Sequence, residues 1–161
     1  MRAEAVEILR QRAAEIPVNV EAVASDLGIR VWQSWTLPPN ISGKIGKGPE
    51  PVGRSGYAIV VNANDGNNRQ RFTIAHELAH YIYHHPYVGE GIADNTLYRS
   101  GLPTRLEVEA NQLAAEMIMP ARSIRYLMAS GVRNAEQLAG RMQVSRAAMG
   151  VRLRQLNISL C

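Results

Sequence analysis

The residues best suited to chemistry lie close together near the middle of the chain. His76-Glu77-Leu78-Ala79-His80 reads HExxH, and its flanks, Phe72-Thr73-Ile74-Ala75 and Tyr81-Ile82, are apolar enough for a buried helix. At 3.6 residues per turn, His76 and His80 fall one turn apart on one face, so both imidazoles can reach a single ion. Glu77 cannot share that position, but it can take a proton from a water bound to the ion. A random chain of this length shows HExxH with odds of roughly one in a hundred or less, so incidental histidines are the weaker reading.

Two histidines leave a catalytic zinc short of a ligand, because such sites use three protein ligands and a water. The completion HExxHxxGxxH is excluded, since Tyr83 and Pro86 stand at the glycine and third-histidine positions. His84 lies two turns beyond His76, about 12 Å along the helix axis, too far to close a tetrahedron. A carboxylate on a second helix remains, with Glu107, Glu109 and Glu116 as candidates. Glu107 opens ExxAN: Ala110 is small enough for close helix approach, and Asn111, one turn on, can support a ligand side chain. Glu109 lies about 200° round the helix from Glu107, so the two cannot both face the ion. Thr104-Arg105-Leu106-Glu107 also reads as a capping box. Alone that reading would win; beside an incomplete HExxH, the ligand role is stronger. The donor set of His76, His80 and Glu107 predicts one zinc per chain.

Peptide hydrolysis would also need a group to stabilise the oxyanion. Tyr83, His84, Tyr98 and Arg99 are within reach by sequence order alone, and tyrosines more often serve packing.

The elements that would position these residues read as follows. Residues 2–15 form an amphipathic helix stopped by Pro17. Asn19 caps a short helix carrying Val20, Val23 and Leu27, with Gly28 ending it. Strand character follows at 29–35, at 42–47 as an edge, and most strongly at 57–61. A helix runs from Arg69 to about 84–86, and 86–103 is a long irregular connection of the kind that often carries function. Thr104 starts a helix to Met119. Three more follow at about 121–129, 135–141 and 146–156, the last capped by Ser145.

The 161 residues fit one domain or one with a small appendage. With 46% hydrophobic residues a true core can form, and no apolar run approaches the length of a membrane span. The start of the chain lacks a signal peptide's apolar stretch, and the lone Cys161 excludes a disulfide framework and a cysteine-based zinc cluster. A soluble, cytoplasmic protein is expected. From Ala121 onward seven arginines face one acid, Glu136, a balance of +6, which leaves −2 on residues 1–120. The asymmetry hints at an anionic partner, but an arginine-rich solvated face is the better explanation, since +6 over about forty residues is not extreme. Leu138–Met149 has a helix-turn-helix layout, and Arg146, Arg152 and Arg154 could meet phosphate. Few base-reading side chains stand on the second helix, so docking of a protein partner is favoured over DNA binding.

The stretch Phe72–His80, followed by Glu107-x-x-Ala110-Asn111-x-x-Ala114-Ala115-Glu116-x-Ile118-Met119-Pro120, resembles the ImmA/IrrE family of bacterial and phage metallopeptidases, over about residues 16–156. The strand Ala58–Asn62 resembles that family too. Leu113 stands where it commonly has Phe, and Met117-Ile118 where it has Leu-Leu, both conservative core changes. The resemblance implies an α+β, gluzincin-like zincin fold. It also implies zinc held by His76, His80 and Glu107, with Glu77 as base, and a helix-turn-helix repressor as substrate. Residues 1–120 are then the metallopeptidase core and 121–161 a basic helical segment packed on it. The rival reading is a non-catalytic, metal-stabilised regulator that binds a partner protein or DNA; the intact Glu77 argues against it, since a scaffold needs the histidines but not the base.

Overall fold

The computed structural model describes residues 2–48, 51–88 and 104–160. Helices α1 (Arg2–Arg12) and α2 (Val20–Asp26) precede strands β1 (Ile29–Ser34), β2 (Gly43–Gly46) and β3 (Tyr57–Asn62). Helices α3 (Asn67–Tyr83), α4 (His85–Val88), α5 (Thr104–Ile118), α6 (Ala121–Ala129), α7 (Ala135–Met142) and α8 (Arg146–Gln155) follow. The mixed α+β class with a small sheet is as expected. Among the described residues no helix is long and apolar enough to cross a membrane.

β3 is central. All six of its residues are buried, as an apolar run of Tyr57-Ala58-Ile59-Val60-Val61 requires of a strand covered on both faces. β1 pairs with it in parallel, Ile29 opposite Tyr57, and β2 pairs antiparallel on its other edge, Gly43 opposite Val61. Gly43 is needed where β2 meets α3: a Cβ there would stand 2.6 Å from Thr73 Cγ2 and 2.7 Å from the Val60 carbonyl. Asn62, at the end of β3, is buried and donates from Nδ2 to the carbonyls of Pro38 and Ile41, fixing the β1–β2 connection.

α3 is buried almost all round over 73–82, packed between the sheet and α5. α3 buries Ala75 and Ala79, and α5 buries Ala110 and Ala114, all without exposure. Side chains this small let two helix axes approach closely. The helix starts at Asn67, two residues before the apolar period does, with Gly66 at its cap.

Two expected boundaries move. α1 ends at Arg12, not 15, because the Arg12 guanidinium turns to Asp26 (2.8 Å) and Glu15 (2.9 Å). That arginine holds the Asp26 carboxyl below its ordinary pKa through their hydrogen bond. The chain also stays helical beyond His84, in α4, where Pro86 sits in a first turn and its missing N–H costs nothing. The rest of the expected 86–103 connection lies outside the described residues.

One hydrophobic cluster runs from Ala5 and the sheet through α3 and α5 to Leu138, Met142, Met149 and Leu153. Polar ties join the same parts. Arg71 on α3, half-buried, donates to the carbonyls of Val18 (2.8 Å), Gln143 (3.2 Å) and Met142 (3.3 Å). Ser123 donates to the Ala13 carbonyl. Asn134 and Ser145 cap α7 and α8, accepting from the Gln137 and Ala148 N–H groups.

Candidate metal centre

His76 and His80 project from α3 and Glu107 from the first turn of α5, and the packing of these helices brings them together. His76 Nε2 lies 3.2 Å from His80 Nε2 and 3.2 Å from Glu107 Oε2; His80 Nε2 lies 3.1 Å from Glu107 Oε1. The three donor atoms all fall within 4.8 Å of one another. His80 is fully buried, whereas the His76 and Glu107 side chains keep some exposure, 13% and 27%. The cluster is therefore closed on the His80 side and open to solvent on the other. Thr104 is the first residue of α5, and the Glu107 carboxylate is directed at the two histidines.

The donor set suits a divalent metal such as zinc. Ligand atoms about 2.0–2.2 Å from a tetrahedral centre are roughly 3.3 Å apart, and the observed separations are 3.1–3.2 Å. Asn111 Oδ1 lies 2.8 Å from His76 Nδ1. A carbonyl oxygen only accepts, so Nδ1 carries the proton and, in the neutral ring, Nε2 presents its lone pair to the cluster.

Glu77 lies beside His76 on α3 and is 2% exposed. Tyr83 goes elsewhere: its ring sits under the Arg2 guanidinium, 4.6 Å from centroid to Cζ, in a groove with Val6, Leu9, Leu113 and Met117. The ring thus takes part in packing between α1 and α5. His84 turns the other way. It is 4% exposed, with Nδ1 3.0 Å from His80 Nδ1 and Nε2 3.2 Å from Glu109 Oε1. Both ring nitrogens are engaged behind His80, with His80 and Glu109 as partners. Tyr98 and Arg99 lie outside the described residues.

A family model described as Peptidase_M78, IrrE N-terminal-like domain, matches residues 24–154. The chain belongs to this family. The M78 match covers the sheet, both donor-bearing helices and most of the C-terminal helices, in agreement with the resemblance of the HExxH and ExxAN segments. It marks a metallopeptidase-type domain, and the cluster of His76, His80 and Glu107 is where such a domain can hold its metal. The chain matches no curated protein.

In this M78 domain the three arginines expected at an anionic partner separate. Arg146 and Arg154 are exposed on α8. Arg152 is not available: it is 7% exposed and its Nε donates to the Met119 carbonyl at 2.9 Å, tying α8 to the end of α5. Burial lowers its pKa, as it does for Arg71. Sequence reasoning missed Arg71 as the tie between α3 and the C-terminal helices, since its three carbonyl partners are far away in the chain. It also missed the His84–Glu109 contact. The signal was present in His84 itself, which repeats the one-turn spacing of His76 and His80.

Proposed function

We propose that this chain is a zinc-dependent endopeptidase with a gluzincin-like zincin core, hydrolysing a peptide bond in a protein substrate. The convergence of His76, His80 and Glu107 within 3.2 Å at neighbouring donor atoms carries this reading. These three residues would hold one zinc per chain. Zinc, when bound, supplies a Lewis acid that polarises the scissile carbonyl and makes water more acidic. Asn111 keeps His76 in the ligating tautomer. Glu77 takes the proton from the attacking water and passes it to the departing amine. Glu77 follows His76 directly on α3, which puts a carboxylate beside the cluster for this step.

The substrate we assign is a helix-turn-helix transcriptional repressor in the cytoplasm, whose cleavage would derepress its target genes. Residues 1–120 form the catalytic unit in this reading, and 121–161 a basic, helix-turn-helix-like segment that docks the substrate through Arg146 and Arg154. The test is Glu77→Gln, which keeps the ligands and removes the base. Zinc content should be unchanged while repressor cleavage falls by about 10²–10⁴. Full cleavage by the zinc-loaded variant would refute the mechanism. Zinc binding by wild-type protein that cleaves no repressor, with or without chelator, would favour a metal-stabilised regulator instead.

A further inference from the structure

His84 has no part in the reaction above, yet it is a nearly fully buried imidazole in contact with a proposed metal ligand. With neutral rings, its partners fix the direction of the hydrogen bonds along the chain of contacts. The Glu109 carboxylate, half-exposed and an acceptor, lies 3.2 Å from His84 Nε2, so Nε2 carries a proton and donates. A neutral His84 then has only a lone pair at Nδ1. His80 Nδ1, 3.0 Å away, must be the donor of that hydrogen bond. With its proton on Nδ1, the neutral ring of His80 presents the Nε2 lone pair towards His76 and Glu107.

We infer that His84 and Glu109 form a positioning relay that holds His80 in its metal-ligating tautomer, an inference that rests on the metal reading proposed above. The relay has a competitor to defeat. With its proton on Nε2, His80 would donate directly to Glu107 Oε1 at 3.1 Å, joining two ligands to each other in place of the metal. With a cation taking the Nε2 lone pair, the Nδ1 acceptor offered by His84 makes that arrangement the poorer one, because it would leave the buried His80 and His84 Nδ1 lone pairs facing each other. Asn111 does the same for His76, so each histidine is oriented from α5, one directly and one through His84.

The test reads tautomers and metal affinity in the full chain. Imidazole ¹⁵N–¹H spectra of the zinc-loaded protein should show His80 protonated at Nδ1 and His84 protonated at Nε2 with a bare, hydrogen-bond-accepting Nδ1. Zinc affinity is then measured by competition with a chromogenic chelator. Partners behind a metal ligand are typically worth 10–100-fold in affinity, so His84→Phe should bind zinc about 10–100-fold more weakly. His84→Gln, whose amide oxygen can accept from His80 Nδ1, should recover most of that loss. Glu109→Ala, at a half-exposed position that threatens the fold least, should weaken binding several-fold. A proton on His84 Nδ1 in the zinc-loaded wild type overturns the relay, as does wild-type zinc affinity in both His84→Phe and Glu109→Ala. A wild-type protein that takes up no zinc would refute the metal reading, whereas a protein that binds zinc with the other His84 tautomer would refute the relay alone.

Discussion

Two imidazole lone pairs and a carboxylate 3.1–3.2 Å apart repel one another unless a cation lies among them. That geometry sets what each residue is worth. Glu107→Gln keeps the oxygen but loses the charge of a direct ligand, so zinc affinity should fall by about a hundredfold or more, beyond the range set by partners behind a ligand. Glu109→Gln keeps an acceptor for His84 Nε2 and should hold zinc nearly as well as wild type. Chelator competition on the two proteins checks this, and equal losses would remove Glu107 from the ligand set. The HExxH residues were legible in the sequence because their relation is local, one helical turn. Asn111 was legible for the same reason, sitting one turn from Glu107. The partners of His84 and Tyr83 were not, because which groups surround a side chain near the end of α3 depends on how α1 and α5 lie against it.

At the level of elements, the centre depends on the seam between α3 and α5. Ala110 has no exposure and stands three residues after Glu107, on the same side of the helix. A larger side chain there would press on α3 and move Glu107 relative to the histidines. Ala110→Leu should cost about 1–3 kcal/mol of stability by overpacking. It should also weaken zinc binding, whereas Val108→Leu, on the exposed face of α5, should do neither. Urea unfolding with metal removed separates the stability effect from the metal effect, and unchanged zinc affinity in a destabilised Ala110→Leu protein would show that the seam does not set the site. The helices and strands were readable from periodicity, from β-branched runs and from caps such as Asn19 and Ser145. The order β1-β3-β2 was not, because pairing a strand with one two elements later is a long-range choice with no local signature. The small α4 was hidden by Pro86, a residue that reads as a breaker unless the turn it opens is known.

Across the whole molecule, the acidic front and basic rear of the chain are joined by one core, yet the arginines of the rear do different work. Arg152 and Arg71 turn inward to backbone carbonyls, while Arg146 and Arg154 face solvent. A charge count cannot make that division; only the packing of α8 against the end of α5 does. Losing Arg152 should therefore act through stability. Arg152→Ala removes a buried hydrogen bond from a charged donor, an interaction of about 1.5–3 kcal/mol, and should lower the unfolding midpoint. Arg146→Ala with Arg154→Ala should leave stability and zinc content unchanged, because both side chains are exposed. If the basic face docks a repressor, that double variant should slow cleavage of the repressor while cleaving an unstructured peptide spanning the same bond at the wild-type rate. Its binding to DNA alone should be weak and steeply salt-dependent in either form, as phosphate contacts without base contacts are. Tight, sequence-specific DNA binding at physiological salt, lost in the double variant, would replace docking with direct DNA recognition. Equal slowing of repressor and peptide would place the two arginines' effect at the catalytic centre.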